Sequence, residues 1–370
     1  ISIKFWGFSR VHWTEGLELG DKTTHYKSNE EYYANDFMLK GNGSTVEVLP
    51  LGDHIFNFSF VLPEHIPSSF ESFVGQVRHQ CKATLIIPIW PNKTCNKPYS
   101  INTLYDLNMD YIAKGPVSAD ASKTICCLCC TSGPISLALQ INRSGFVPGE
   151  KLYFNAECSN QSNRCITSSK VEILQVATFT GRKFKNHMRK PGIRQRKQTK
   201  IVAMMEHGEI PKGESDTWNN EDLLIPPIPS SHLIFCDNIT IQYFVEFSAV
   251  PSGPGIHLRL MAPILIGSIP LQQNFNLFEP SQTTHFVTGI QNHGDETEAD
   301  PSSSYITGMP TTAQLAVGFT FPGLSQYPDM PPPSYAESMI SAPMGAKCDI
   351  DEYNNSVFNP QYILYSLKNN

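Results

Sequence analysis

A chain of 370 residues with 17% charged and 40% apolar residues has room for two domains and a tail, and enough apolar material for sizeable cores. Its formal net charge of −6 excludes general basicity as a basis for binding nucleic acid, and its longest apolar run, 261–267, is too short to span a bilayer and is broken by Pro263. With 28 prolines and 24 glycines, turn signals recur, which favours many short strands over long helices.

The chain opens within a strand pattern. Ile1, Ile3, Phe5, Val11 and Trp13 fall on alternate positions, so the first domain is expected to lack its opening strands. Residues 54–62 alternate with period two, placing Phe56, Phe58, Phe60 and Leu62 on one side, and predict a half-buried strand. After the break at 63–69, residues 75–89 predict the next strand, with Val77, Cys81, Ala83, Leu85 and Ile87 mostly on one face.

An internal echo follows. Ile66-Pro67-Ser68-Ser69 stands eight residues before Val77, within one predicted strand, and Ile228-Pro229-Ser230-Ser231 stands eight before Ile239, which opens another. A separation of 162 residues is far beyond solenoid periods and points to a duplicated β-domain.

The second domain is predicted to start near Gly133. Residues 135–141 alternate, Pro148-Gly149 makes a turn, and 151–157 alternate again with Leu152, Phe154 and Ala156 together. Further strands are predicted at 171–179 and 239–247, and the last at 264–271. No capped helical periodicity longer than about ten residues occurs. Beyond Gln272 polar residues, proline and glycine dominate, and such a segment cannot bury enough apolar surface to offset its chain entropy. The expected layout is an incomplete first sandwich at 1–115, a cysteine-rich interdomain segment at 116–132, a second sandwich at 133–272 and a disordered tail at 273–370.

Within that tail, Pro331-Pro332-Pro333 favours a polyproline II helix, and Pro332, Pro333 and Tyr335 compose the PPxY pattern that WW domains take up in an aromatic groove. A linker that binds nothing is the plain alternative. Nearer the end, Asn359, Pro360 and Tyr362 form NPxY, in which Asn-Pro favours a tight turn that presents the tyrosine to phosphotyrosine-binding or endocytic folds; a neutral spacer fits the same letters.

Cys126, Cys127, Cys129 and Cys130 crowd one short run. Adjacent cysteines fit one tetrahedron poorly and no second cluster is suitably spaced, so no metal site is expected. A buried strand of small, soft side chains and a reversible acyl anchor remain the readings. Nine basic residues, Arg182, Lys183, Lys185, Arg189, Lys190, Arg194, Arg196, Lys197 and Lys200, follow one another without an acid, and removing them from the net of −6 leaves −15 on the rest. A positive loop on an acidic body suits anionic phospholipid better than nucleic acid, for which no aromatic interleaving or finger is present; a solvated hairpin is the alternative. No Gly-x-Ser-x-Gly, His-Glu-x-x-His, phosphate-binding or dinucleotide loop occurs, so no catalytic residue and no cofactor are expected. Sequons at Asn57, Asn142 and Asn238 leave open a secreted, glycosylated β-sandwich fragment.

Several stretches together resemble the α-arrestins, the arrestin domain-containing family. They are His12-Trp13-Thr14-Glu15, Ser69-Phe70-Glu71, Gly75-Gln76-Val77-Arg78, Cys129-Cys130-Thr131-Ser132-Gly133-Pro134-Ile135-Ser136-Leu137, Gly145-Phe146-Val147-Pro148-Gly149-Glu150, Thr217-Trp218-Asn219, Ile225-Pro226-Pro227 and Ile266-Gly267-Ser268-Ile269-Pro270-Leu271. The resemblance implies an all-β chain of two arrestin-like, immunoglobulin-type sandwiches, the first truncated, with no catalytic site. It also implies a cytoplasmic adaptor, peripheral at plasma membrane and endosomes. Its sandwiches would engage receptor or transporter cargo, while Pro332, Pro333 and Tyr335 recruit WW domains of HECT-type ubiquitin ligases, sending cargo into endocytosis and endosomal sorting. The tail departs from the family by holding one clean PPxY where two are common, and His79 stands where an aromatic is more typical. A trafficking scaffold of the same shape, similar to the arrestin-like subunit of retromer and with an idle PPxY, is the other reading.

Overall fold

The computed structural model describes residues 1–16, 23–127, 130–183, 192–253, 257–278, 334–337 and 358–368. Strands β1 (Ser2–Glu15) and β2 (Thr24–Met38) form a long antiparallel hairpin. Alternate residues of β1 point inward and bury Ile3, Phe5, Val11 and Trp13, as the period of two requires. On the other side of β1 lies β4 (Gly75–Leu85), flanked by β3 (Phe70–Glu71) and β5 (Lys93–Tyr99). A connector with two short 3-10 turns, Leu107–Met109 and Tyr111–Lys114, leads on; the side chains of Asp106 and Asp110 cap them by accepting from the Asn108 and Ile112 amides.

The second half comprises β6 (Val117–Cys127), β7 (Cys130–Ile141), β8 (Gly145–Phe146), β9 (Lys151–Asn160), β10 (Ile166–Lys183), β11 (Ile193–His207), β12 (Ser215–Leu224), β13 (Ile239–Pro251) and β14 (Leu258–Ile266). Last come two tail strands, β15 (Ser334–Glu337) and β16 (Gln361–Leu364), paired with each other. One large sheet has the order β3-β4-β1-β2-β10-β13-β14-β8, with β5 added to β4 and β11 to β10; a second has the order β12-β9-β7-β6. The inward residues of β7 (Ile135, Leu137, Leu139, Ile141) and β9 (Leu152, Phe154, Ala156, Cys158) join Trp218, Tyr243 and Phe247 in a core that continues to Val11, Trp13 and Val77 of the first half. The described residues contain no α-helix.

The echo noted in the sequence has matching roles in space. The Ser69 hydroxyl accepts from the Ile101 amide at 3.0 Å, and the Ser231 hydroxyl from the Ile266 amide at 2.9 Å. The Pro67 carbonyl accepts from His79 Nε2 at 3.0 Å, and the Pro229 carbonyl from the Tyr243 hydroxyl at 2.7 Å. Because a carbonyl can only accept, His79 carries its proton on Nε2, and its Nδ1 accepts from the Tyr33 hydroxyl at 3.1 Å. The neutral imidazole lies parallel to the Tyr33 ring, so it fills an aromatic position and also ties β4 to the echo segment.

Three expectations differ from the fold. Residues 54–62 form no ladder: Ile55 and Val61 stand exposed, while Phe58 and Phe60 lie on the Phe5 ring at 5.6 and 4.5 Å. Period-two alternation there serves to cover a sheet, not to join one. The segment 116–132 is no separate linker, since β6 is paired with β7 from Val117 onward and its Val117, Ala119 and Ala121 pack on the core. The last strand before the tail, β14, ends at Ile266; Ile269 and Leu271 are buried beyond it, past Gly267.

Burial pulls the His79 pKa down to about 4. Between the ordinary histidine value and about 4 the unfolded chain binds a proton that the folded chain does not, so stability falls as pH drops through that window. The loss is expected to reach roughly 3 kcal/mol and to be absent in His79→Phe. Urea midpoints at pH 7 and pH 4.5 for both chains check this; equal slopes would contradict it.

Candidate functional site

The tail does not leave the body free. Gln361–Leu364 crosses the meeting of the two halves, and each flanking contact is specific. The Gln361 amide donates to Ser100 Oγ at 2.8 Å, and Asn102 Nδ2 donates to the Gln361 carbonyl at 3.0 Å. The Tyr362 hydroxyl donates to the Ser69 carbonyl at 3.0 Å. From the other half, the Tyr365 amide donates to the Pro148 carbonyl at 3.0 Å and the Tyr365 hydroxyl to the Ser268 carbonyl at 2.8 Å. Tyr362, Ile363 and Tyr365 are buried, and burying a side chain such as Ile363 stabilises by about 1.5–3 kcal/mol. Burial likewise pushes the Tyr362 and Tyr365 hydroxyl pKa values well up.

A small core forms around this strand from Leu107 and Ala113 of the connector, Val147, Leu271 and Phe278, with Ile363 and Tyr365 from the tail. The turn that receives Tyr365 is braced by Glu150. Its buried carboxylate accepts from the Val147 amide at 3.0 Å and from Asn274 Nδ2 at 3.1 Å, and pairs with Arg143 at 3.1 Å. Burial pushes the Glu150 pKa up, against the pull of that guanidinium. Gly149 has φ +95°, and a Cβ there would stand 1.8 Å from the Tyr365 carbonyl oxygen, so only glycine lets the tail lie so close. The crevice left beside Ser68, Ser230 and Ile363 measures about 10 Å³, the room of one water. The tail fills the joint.

Tyr335 rests on this plug. It stands opposite Ile363 in the β15–β16 ladder, and the Ser334 hydroxyl donates to the Leu364 carbonyl at 3.0 Å. Its ring is half-buried against the Ile363 and Tyr365 cluster, and its hydroxyl is buried with no hydrogen-bond partner among the described residues. Burial raises its pKa. A buried hydroxyl without a partner costs about 1–3 kcal/mol, and among the described residues β15 has fewer side-chain hydrogen bonds to the body than β16 and Tyr365.

Two models of known families match the chain: "Arrestin (or S-antigen), N-terminal domain" over residues 1–108 and "Arrestin (or S-antigen), C-terminal domain" over residues 131–271. This chain belongs to the α-arrestins, the arrestin domain-containing family. Its all-β sheets are those of two arrestin β-sandwich domains. Arrestin domain-containing protein 17 of Caenorhabditis elegans is 24% identical, over 99% of this chain and 90% of that protein. Arrestin domain-containing protein 4 of Mus musculus is 27% identical over 80% and 72%, and thioredoxin-interacting protein of Sus scrofa 25% identical over 90% and 85%.

Of the residues singled out in this α-arrestin's sequence, Pro332 and Pro333 lie outside the described residues, as do Lys185, Arg189, Lys190 and Cys129. Tyr335 does not lie in a disordered segment as expected: it is half-buried in β15. Nor is Tyr362 presented on a turn: it follows a buried Pro360 into β16, with only Asn359 and Gln361 exposed around it. The tail at 334–337 and 358–368 is ordered because Tyr362, Ile363, Leu364 and Tyr365 form one short apolar cluster inside a polar stretch. Cys126, Cys127 and Cys130 belong to the β6–β7 hairpin, Cys127 opposite Cys130, not to an interdomain segment. The basic run is also a hairpin. Arg182 and Lys183 end β10; Arg194, Arg196 and Lys197 stand exposed on β11, while Lys200 is partly buried and its pKa pulled down to about 8. Of the residues that hold the tail, Ser69 is visible in the sequence as part of the echo and Pro148-Gly149 as a turn, whereas Ser268 stands out only within a family-like stretch.

Gly149→Ala is expected to displace Tyr365 and cost roughly 2 kcal/mol or more, with faster proteolysis across 358–368. Denaturant titration and timed digestion check this; a variant as stable and resistant as the parent would rule out the tight seat.

Proposed function

We propose that this α-arrestin is an adaptor that links membrane receptor or transporter cargo to WW domains of HECT-type ubiquitin ligases, promoting ubiquitination, endocytosis and endosomal sorting. Proteins of the arrestin family are generally non-enzymatic adaptors, and among the described residues no group of three or more potential metal ligands occurs. The observation that carries the reading is Pro332-Pro333-Ser334-Tyr335 in the tail of an arrestin chain. Prolines hold the backbone near the extended conformation that a WW groove accepts, and the tyrosine supplies the aromatic anchor. The work is peripheral to the membrane, at plasma membrane and endosomes; no helix among the described residues is long and apolar enough to cross it. A glycosylated exterior role fits less well, since Asn238 of one sequon is buried.

The exposed Arg194, Arg196 and Lys197 beside Arg182 and Lys183 support a second contact, with anionic phospholipid, at about 1 kcal/mol per basic residue near the surface. Vesicle flotation with and without phosphoinositide is expected to recover more protein in the former; equal recovery removes the lipid contact.

For the ligase link, a recombinant WW domain is expected to capture the full chain, and Tyr335→Ala to weaken capture at least about tenfold. Unchanged capture by the variant removes the assignment.

A further inference from the structure

We propose that Ser334–Glu337 is a clasp: β15 closed on β16 withholds Tyr335, so a WW domain must compete with the protein's own tail. The inference rests on the ligase-recruitment reading and names the regulation of that same motif. One tyrosine cannot occupy two places. In the ladder, Tyr335 is registered against Ile363 and half-buried over the Tyr365 cluster; in a WW groove its ring is buried by the partner and its backbone follows the polyproline helix.

The two tail strands are held unequally, and that makes the clasp releasable. β16 is fixed through Ser69, Ser100 and Asn102 from the first half, and the residue after it through Pro148 and Ser268 from the second. β15 has the β16 ladder, one side-chain bond from Ser334 to Leu364 and a tyrosine whose hydroxyl finds no partner among the described residues. It can therefore open while β16 stays seated. A WW domain offers the withheld ring a full groove, and its apparent affinity falls by the fraction of chains that are open.

Ala336 lies in β15 but outside the four residues of PPxY, so Ala336→Pro separates the two roles. A proline there imposes a φ far from that of an antiparallel strand, yet leaves the preceding residue extended. A recombinant WW domain is titrated against the full chain and against a synthetic peptide of residues 327–341, each with and without Ala336→Pro, and amide exchange is followed at 334–337. The full chain is expected to bind about tenfold more weakly than the peptide or worse. Ala336→Pro is expected to close that gap without changing the peptide's affinity, and to abolish amide protection at 334–337 while 361–365 stay protected. Equal affinity of parent chain and peptide, or unprotected amides at 334–337 in the parent, overturns the clasp. Protected amides together with a peptide that does not bind overturn the ligase reading instead.

Discussion

Backbone carbonyls that end up at the meeting of two sheet systems must find donors, because burying them unpaired costs nearly as much as a lost hydrogen bond. Here three such carbonyls, of Ser69, Pro148 and Ser268, are served by Tyr362 and Tyr365 of the tail. The first belongs to one half of the molecule and the other two to the second. The tail thus spans the joint with hydrogen bonds to both halves and an apolar plug beside them, and Gly149 gives it room to do so. The position of Tyr335 depends on this seat.

Adaptor function is easily pictured as a rigid body and an independent string. The geometry is different. The string returns to the body at 358–368 and carries its recognition tyrosine back with it, thirty residues along the chain but side by side in space. The sandwich body and the motif proposed to recruit a ligase therefore share one set of contacts. The Tyr335 hydroxyl, buried without a partner among the described residues, makes the outer part of that set weaker, whereas the inner part has paired backbone and buried rings.

Long alternating strands were legible because their inward side chains are large: β1, β7 and β9 follow the read pattern residue for residue. Alternation cannot say whether a ladder partner exists, which is why 54–62 reads as a strand and lies instead on Phe5. Small side chains hid β6, where Val117, Ala119 and Ala121 carry too little apolar contrast to stand out. The duplicated Ile-Pro-Ser-Ser is legible as a repeat, but its roles as carbonyl and hydroxyl partner arise from residues distant in sequence, such as Ile101 and Ile266. Composition averaged over 273–370 concealed a four-residue cluster at 362–365, and no local rule foretells that Tyr335 registers with Ile363. His79 was an oddity of the sequence; its two hydrogen bonds and stacked rings explain it.

The seat of the tail can be tested without any partner. Thermal unfolding of the full chain is compared with that of a chain ending at residue 357, which keeps both sandwiches but removes Tyr362, Ile363 and Tyr365. Losing these should lower the midpoint by at least about 5 °C, given roughly 2–4 °C for each kcal/mol in a domain of this size. An unchanged midpoint would mean that the joint closes without its tail, and the account of a strand shared between fold and function would fail.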